Sequence, residues 1–156
     1  MVEFERRTRV EAPFETVWNF HAGIDGLVAL TPDVLDLRVE GVRGPDGEPD
    51  PEVLAVGAEV DLSLRPLGAG PRVRWTSRIT EREETDEAAH FRDVMVDGPF
   101  RRWDHTHRFR ALDGATLVID HVEYVPPLTP FTVPFSQTGL RMMFRERHRR
   151  LRRLLE

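Results

Sequence analysis

Alternating apolar and polar residues predict that the chain starts with a β-strand and continues into two short helices. The inner face of the first strand collects Phe4, Arg6, Thr8 and Val10, which alternate with charged residues. Pro13 ends this strand, because proline suits the first turn of a helix. Apolar residues at helical spacing then predict a helix over residues 14–21, and Gly23 separates it from a second helix near residues 24–30.

Four further segments have the composition of β-strands and are bounded by turn residues. They cover about residues 33–42, 59–66, 72–82 and 90–96. A loop rich in glycine and proline at residues 44–51 separates the first two. One face of segment 72–82 carries Val73, Trp75, Ser77 and Ile79, with Glu81 in line, while arginines and Thr76 occupy the other face. This strand therefore has one side in contact with water.

The most specific local signal is Asp113-Gly114, a dipeptide that suits the positive φ angles of a two-residue hairpin turn. The turn fixes the register of the flanking strands, so that His107 faces Asp120 and His105 faces Val122. Two further cross-strand pairs on this face are Trp103 with Tyr124 and Phe109 with Val118. We expect this largely apolar face to be buried, although it carries both histidines and the aspartate.

The C-terminal segment predicts a long amphipathic helix. Pro126, Pro127 and Pro130 end the sheet, and helical spacing begins near Phe135. The stripe expected to face the sheet consists of Leu140, Met143, Phe144, Arg147 or His148, Leu151 and Leu155. Met142, Met143 and Phe144 are expected to line the roof of a cavity. The residues expected in solvent are Arg145, Arg149, Arg152 and Arg153.

Composition and charge exclude several classes of protein. The chain is 40% hydrophobic and 31% charged, and no apolar run approaches the roughly 20 residues that span a bilayer. It contains no cysteine, which excludes disulfides and thiolate ligands. Its 22 basic residues are all arginine, and the net charge of −5 gives no general attraction to nucleic acid. With no apolar signal core in the first residues, we expect a soluble, cytoplasmic protein.

Several motifs resemble those of one protein superfamily. They are APFETVWNFH at residues 12–21, Leu30-Thr31-Pro32, GPFRRWDHTHRF at residues 98–109 and FRERHRRL at residues 144–151. With the order of elements, they resemble the START-related SRPBCC superfamily, which includes the birch-pollen allergens and polyketide cyclase/dehydrase-like proteins. The resemblance implies one ligand-binding domain over residues 1–156 with an α+β helix-grip fold. In that fold a curved antiparallel sheet of about seven strands, two short helices and a long C-terminal helix enclose a cavity.

His107 and Asp120 are the first candidates for chemistry. A carboxylate opposite the imidazole would orient the ring and raise its pKa, which gives a group able to transfer a proton or hold a polar ligand head. The same pair could equally be a satisfied polar contact that fixes the register of the sheet. Asp93 is a further candidate if it points inward, where it would pair with Arg6 or with a histidine.

A metal site is a second chemical possibility. His105 and His107 lie two residues apart on one strand and point the same way, with Asp120 as a third potential ligand. No fourth ligand is recognisable from the spacing, so we assign no metal and no cofactor.

Three functions are consistent with these features. The first is binding or carrying of a small hydrophobic, lipid-like or aromatic ligand, with His105, His107 and Asp120 as polar anchors. The other ligand-binding residues would be Trp18, Trp75, Asp93, Trp103, Phe109, Tyr124, Met143 and Phe144. The second is a cyclase/dehydratase-type enzyme, in which His107 is the general acid or base, Asp120 orients it and Tyr124 polarises a carbonyl. The third is a protein-interaction module that uses the basic segment 145–153, for which contact with a membrane or RNA is less favoured than a solvated face.

Overall fold

A computed structural model describes residues 1–126 and 137–156 of the chain. The helices are α1 (Phe14–Phe20), α2 (Ile24–Leu30) and α3 (Gln137–Leu155), and short 3-10 turns lie at Asp33–Leu35 and Pro66–Gly68. The strands are β1 (Val2–Val10), β2 (Arg38–Arg43), β3 (Glu59–Leu64), β4 (Val73–Glu84), β5 (Ala88–Asp97), β6 (Arg102–Ala111) and β7 (Thr116–Val125). This order confirms the predicted α+β fold class.

The seven strands form one curved antiparallel sheet in the order β1-β7-β6-β5-β4-β3-β2. Helix α3 packs against β1 and α2, and α1 contacts β6. Strands β6 and β7 pair in the predicted register, which places His107 opposite Asp120 and Trp103 opposite Tyr124. Gly114 takes the positive φ of 69° that the hairpin turn requires.

The segment predicted as a strand over residues 33–42 is only partly a strand. Asp33–Leu35 forms a 3-10 turn, and Asp36 takes a left-handed conformation with φ of 45°, so β2 begins only at Arg38. The guanidinium of Arg72 stabilises this bend by donating to the backbone oxygen and the carboxylate of Asp36. The turn could not be predicted from the side chains of residues 33–42, because it is stabilised by Arg72, which lies far away in the sequence.

Glu81 lies on the outer face of the sheet, and its predicted alignment with Ile79 is wrong. Ile79 pairs with Asp93 and Glu81 pairs with Arg92, which leaves Thr80 as an extra residue in β4. Such a β-bulge shifts the alternation of side chains by one position. Glu81 is therefore exposed and accepts hydrogen bonds from His90 and Arg92.

Helix α3 buries most of the predicted stripe, whereas Met143 and Leu155 are half-buried. Leu140, Phe144 and Leu151 are no more than 1% exposed, and both Arg147 and His148 are buried. The four arginines expected in solvent are exposed. Met142 is 68% exposed and does not face the cavity, because it lies on the outer side of the helix. The predicted start near Phe135 and the residues Pro127 and Pro130 lie outside the described residues.

No helix within residues 1–126 and 137–156 has the length and apolar character needed to cross a bilayer.

Candidate functional site

A cavity of about 160 Å³ lies between the inner face of the sheet and the helices. Its wall is mainly apolar, with residues from α2, β3, β4, β5, β6 and α3. Seven of the residues predicted to bind a ligand line it: Trp75, Asp93, Trp103, His105, His107, Met143 and Phe144. Four of its polar side chains lie close together on the inner face of the sheet: Ser77, Asp93, His105 and His107.

Trp18 and Phe109 do not line this cavity, which corrects their predicted role. Their rings pack against each other at 5.3 Å, in a separate apolar cluster that includes Val10 and Val118. The Trp18 Nε1–H donates to Glu84 Oε2 over 2.7 Å. Helix α1 covers that end of the sheet, so both rings belong to the core.

Tyr124 and Asp120 also lie outside the cavity wall. Tyr124 is 1% exposed and packs between the rings of Phe100 and Trp103. Asp120 lies behind the histidines that do reach the cavity. The predicted contact of Tyr124 with a substrate carbonyl therefore has no support in the geometry.

Asp120 is the centre of a buried hydrogen-bond network. Its carboxylate accepts from His105 Nε2 at 2.7 Å and from His148 Nε2 at 2.5 Å, and His107 Nδ1 lies 3.1 Å from Oδ1. Burial alone would raise the pKa of Asp120, but the bonds from His105, His107 and His148 outweigh it and hold the pKa well below its usual range. Asp120 is therefore an ionised carboxylate.

Asp93 on β5 is the second carboxylate of the network. It lines the cavity, and its Oδ2 accepts from His107 Nε2 at 2.9 Å while its Oδ1 accepts from Ser77 Oγ at 3.0 Å. Burial acts to raise its pKa, but the bond from His107 and the nearby imidazoles lower it overall. The sequence left two partners open for an inward Asp93, Arg6 or a histidine. In the structure the partner is a histidine, His107.

The pKa values of the two histidines of β6 are shifted in opposite directions. Each ring nitrogen of His107 faces a carboxylate, Nε2 that of Asp93 and Nδ1 that of Asp120. Burial acts to lower the pKa of His107, but the bonds and charges of Asp120 and Asp93 together raise it, which favours the protonated ring. Burial and the charge of His107 lower the pKa of His105, whose Nε2 lies 2.7 Å from Asp120 Oδ1.

His21 was not predicted as a site residue, and His148 was predicted only as an alternative to Arg147 in the stripe of α3. His148 is 2% exposed and links Asp120 to Thr8 Oγ1 through its second nitrogen, at 2.6 Å. His21 lines the cavity and donates from Nδ1 to the carbonyl of Val17, and burial lowers its pKa to about 3. Helical spacing alone could not indicate what either histidine would contact.

Arg147 is a charged residue of the cavity wall. It is 7% exposed, and among the described residues its Nε has no hydrogen-bond partner and its guanidinium forms no ion pair. Its Cζ lies 5.8 Å from the centre of the Phe144 ring.

Three residues of the network could hold a metal ion. Asp93, His105 and His107 each offer one ligand atom, and these atoms lie within 4.8 Å of one another. Two imidazoles and a carboxylate suit Zn²⁺ or Fe²⁺, and Asp120 would then hold the other nitrogens of both rings. The third ligand is thus Asp93, whereas the sequence suggested Asp120. A metal ion would displace the proton that His107 shares with Asp93.

Solved structures of other proteins share this fold. Protein CV1439 from Chromobacterium violaceum is 17% identical with a TM-score of 0.71, over 99% of this chain and 96% of that one. A START superfamily protein from Mycobacterium smegmatis is 13% identical with a TM-score of 0.62, over 98% and 96%. A norcoclaurine synthase from Thalictrum flavum is 16% identical with a TM-score of 0.63, over 99% and 93%. At these identities the likeness concerns the fold alone.

The sequence itself matches one protein family. No curated protein matches it significantly. The family described as "Polyketide cyclase / dehydrase and lipid transport" matches residues 10–153, which is well over half of the chain. This match agrees with the resemblance in the motifs and with the helix-grip fold. The chain therefore belongs to the polyketide cyclase/dehydrase and lipid transport family.

Proposed function

We propose that this protein binds a small, largely apolar molecule in the cavity between the sheet and α3. The observation that supports this function most directly is the cavity wall, which is mainly apolar and carries a few polar side chains. At about 160 Å³ the cavity is smaller than the roughly 300–1,000 Å³ of many ligand pockets, and a space of this size suits about one aromatic ring. The expected ligand is therefore a substituted ring or a short chain.

A matched pair of substitutions on α2 tests this function. Leu27 lines the cavity, whereas its neighbour Val28 is 47% exposed and does not. Leu27→Phe should fill part of the cavity and weaken binding of phenylacetamide, a neutral single-ring probe, by about tenfold. Val28→Phe should keep the wild-type affinity. Isothermal titration calorimetry measures both, and native mass spectrometry of the purified protein detects any small molecule that co-purifies.

Two results would contradict the binding function. One is that neither phenylacetamide nor other single-ring probes bind to the wild-type protein. The other is that Leu27→Phe and Val28→Phe reduce binding equally, because the probe would then occupy another place.

A second candidate function is proton-transfer catalysis of the cyclase/dehydratase kind. The observation that favours it is the position of His107, which lines the cavity and has a carboxylate at each ring nitrogen, Asp93 and Asp120. One protein with this fold is a norcoclaurine synthase, solved with a transition state analogue. For this function His107 would be the general acid. Turnover of a polyketide-like substrate that disappears in His107→Ala, with ligand affinity kept, would favour catalysis over simple binding.

A protein-interaction module is the third possibility, and the cavity argues against it. Such a module needs no internal space, whereas this protein keeps an apolar cavity next to buried polar residues. The exposed arginines at the end of α3 form ion pairs along the helix, for example from Arg149 to Glu146. These contacts are typical of a solvated helix face.

A further inference from the structure

Arg147 is a buried cation without a hydrogen-bond partner among the described residues. It belongs to α3 and is 7% exposed, and it forms part of the cavity wall. Within residues 1–126 and 137–156 its buried Nε has no partner, and the guanidinium makes no hydrogen bond and no ion pair. An arginine stays charged in proteins and carries five N–H donors, so leaving these donors unpaired in the interior is costly.

The two carboxylates of the network do not meet this need directly. Both oxygens of Asp93 already accept hydrogen bonds, from His107 and Ser77. Both oxygens of Asp120 accept as well, from His105 and His148. Neither aspartate makes a hydrogen bond to Arg147, and both favour its charge only through space. Among the described residues, the donors of Arg147 are thus available for another partner.

The cavity provides the space for that partner. The guanidinium presents its donors in a flat fork that matches the two oxygens of a carboxylate. His107 cannot compete for such a group, because Asp93 and Asp120 already occupy both of its ring nitrogens. Arg147 is thus the cation of the cavity wall with free donors among the described residues.

We propose that the molecule bound in this cavity carries a carboxylate, which Arg147 receives, and that its apolar body of about one ring or a short chain fills the remaining space. This inference rests on the proposed binding function and assigns the chemical class of the ligand. It makes the protein a binder of small aromatic or aliphatic acids. In this arrangement Asp120, behind the histidines, holds His105 and His107 in place next to the acid.

Two probes of nearly identical size and shape test the inference. Phenylacetate carries a carboxylate where phenylacetamide carries a neutral amide. We expect wild-type protein to bind phenylacetate at least about tenfold more tightly than phenylacetamide, since a charge-assisted pair in a buried site is worth about one or two powers of ten. Calorimetry at pH 7.5 gives both affinities. The protein is first dialysed against a chelator, so that no ion held by Asp93, His105 and His107 contributes.

Substitutions in α3 test whether Arg147 causes the preference for phenylacetate. Arg147→Gln should abolish the preference for the acid, so that the affinities of the two probes differ by less than about threefold. Far-UV circular dichroism, compared with wild type, shows that the variant is folded. Arg147→Lys should keep part of the preference, because it keeps the charge but loses the fork. Arg145→Gln is the matched control: Arg145 is exposed on the same helix, so the same loss of charge should leave the preference intact.

The outcomes separate this inference from the function on which it rests. If wild-type protein binds the two probes with equal affinity, the ligand does not need a carboxylate and the inference fails. The cavity would still be a binding site. A preference that persists in Arg147→Gln also overturns it, because another cation would be responsible. Failure of both probes to bind overturns the proposed function together with the inference.

Discussion

A single imidazole, that of His107, determines the charge at the centre of the network. It lies between two carboxylates, 2.9 Å from Asp93 and 3.1 Å from Asp120. A buried cation between two buried anions has a favourable Coulomb energy, and without it the two aspartates would repel each other. His107 therefore stabilises the site whether or not it transfers a proton.

The charge of His107 can be measured directly. In wild-type protein, the pKa of His107 is raised above its ordinary value of 6.5, because the two aspartates outweigh the effect of burial. We expect ¹⁵N NMR of histidine-labelled protein to show two protonated ring nitrogens at pH 6.5. Asp93→Asn removes one anion and should lower the pKa of His107. Asp97→Asn, an exposed position on the same strand, is the control and should leave the titration unchanged.

The residues of the network differ in how far the sequence could predict them. The contact of His107 with Asp120 follows from the Asp113-Gly114 turn, because a hairpin register depends only on local geometry. His148 and Arg147 reach the same place from α3, across the protein interior. No local rule relates a helix to a strand so far along the chain, so their partners could not be predicted.

At the scale of elements, the contribution of α3 to the core comes from a narrow stripe of its residues. Leu140, Phe144 and Leu151 are buried against the sheet and α1, while the intervening charged residues pair with each other on the outer side. Tertiary packing of this apolar face stabilises the helix more than its intrinsic propensity does.

Two leucines near the end of α3 test this view with the same chemical change. Leu151 is 1% exposed and packs with Val10, Val17 and Val118, whereas Leu154 is 53% exposed. Leu151→Ala should lower the free energy of unfolding by about 2–5 kcal/mol, because it leaves a cavity in the core. Leu154→Ala should lower it by less than about 1 kcal/mol. Urea unfolding measures both, and similar losses would contradict the predicted orientation of the helix.

The element boundaries were predictable where the side chains alone determine them. Helix α2 spans the predicted residues, and β6 and β7 have the predicted pairing. The bulge at Thr80 and the bend at Asp36 were not predictable. Each depends on partners in other segments, namely the pairing of β4 with β5 and the guanidinium of Arg72.

At the scale of the whole molecule, the network joins elements that are far apart in the sequence. Strands β5, β6 and β7 supply Asp93, two histidines and Asp120, and helix α3 supplies His148. His148 also reaches Thr8 on β1, so the network connects the first strand to the last helix. Protonation inside this network must therefore affect the stability of the entire fold.

His21, which lines the same cavity outside this network, offers a test of how protonation in the interior affects stability. Its pKa is about 3 in the folded protein, because burial outweighs its bond to the Val17 carbonyl, whereas an unfolded histidine has a pKa of about 6.5. Between these values the unfolded state binds the additional proton, so the protein loses stability as the pH falls. One proton corresponds to about 1.4 kcal/mol per pH unit. The depressed pKa of Asp120 adds a further loss only below about pH 4, where the unfolded aspartate protonates.

We therefore expect the free energy of unfolding of the wild-type protein to decline from pH 6.5 to pH 4.5. The slope for His21→Gln should be smaller than the wild-type slope by up to about 1.4 kcal/mol per pH unit. Glutamine can still donate to the Val17 carbonyl but takes up no proton. His121→Gln makes the same substitution on the outer face of β7 and is the control. Urea unfolding at several pH values gives the slopes. Parallel curves for wild type and His21→Gln would show that His21 accepts a proton without unfolding, and that the interior at this position is accessible to water.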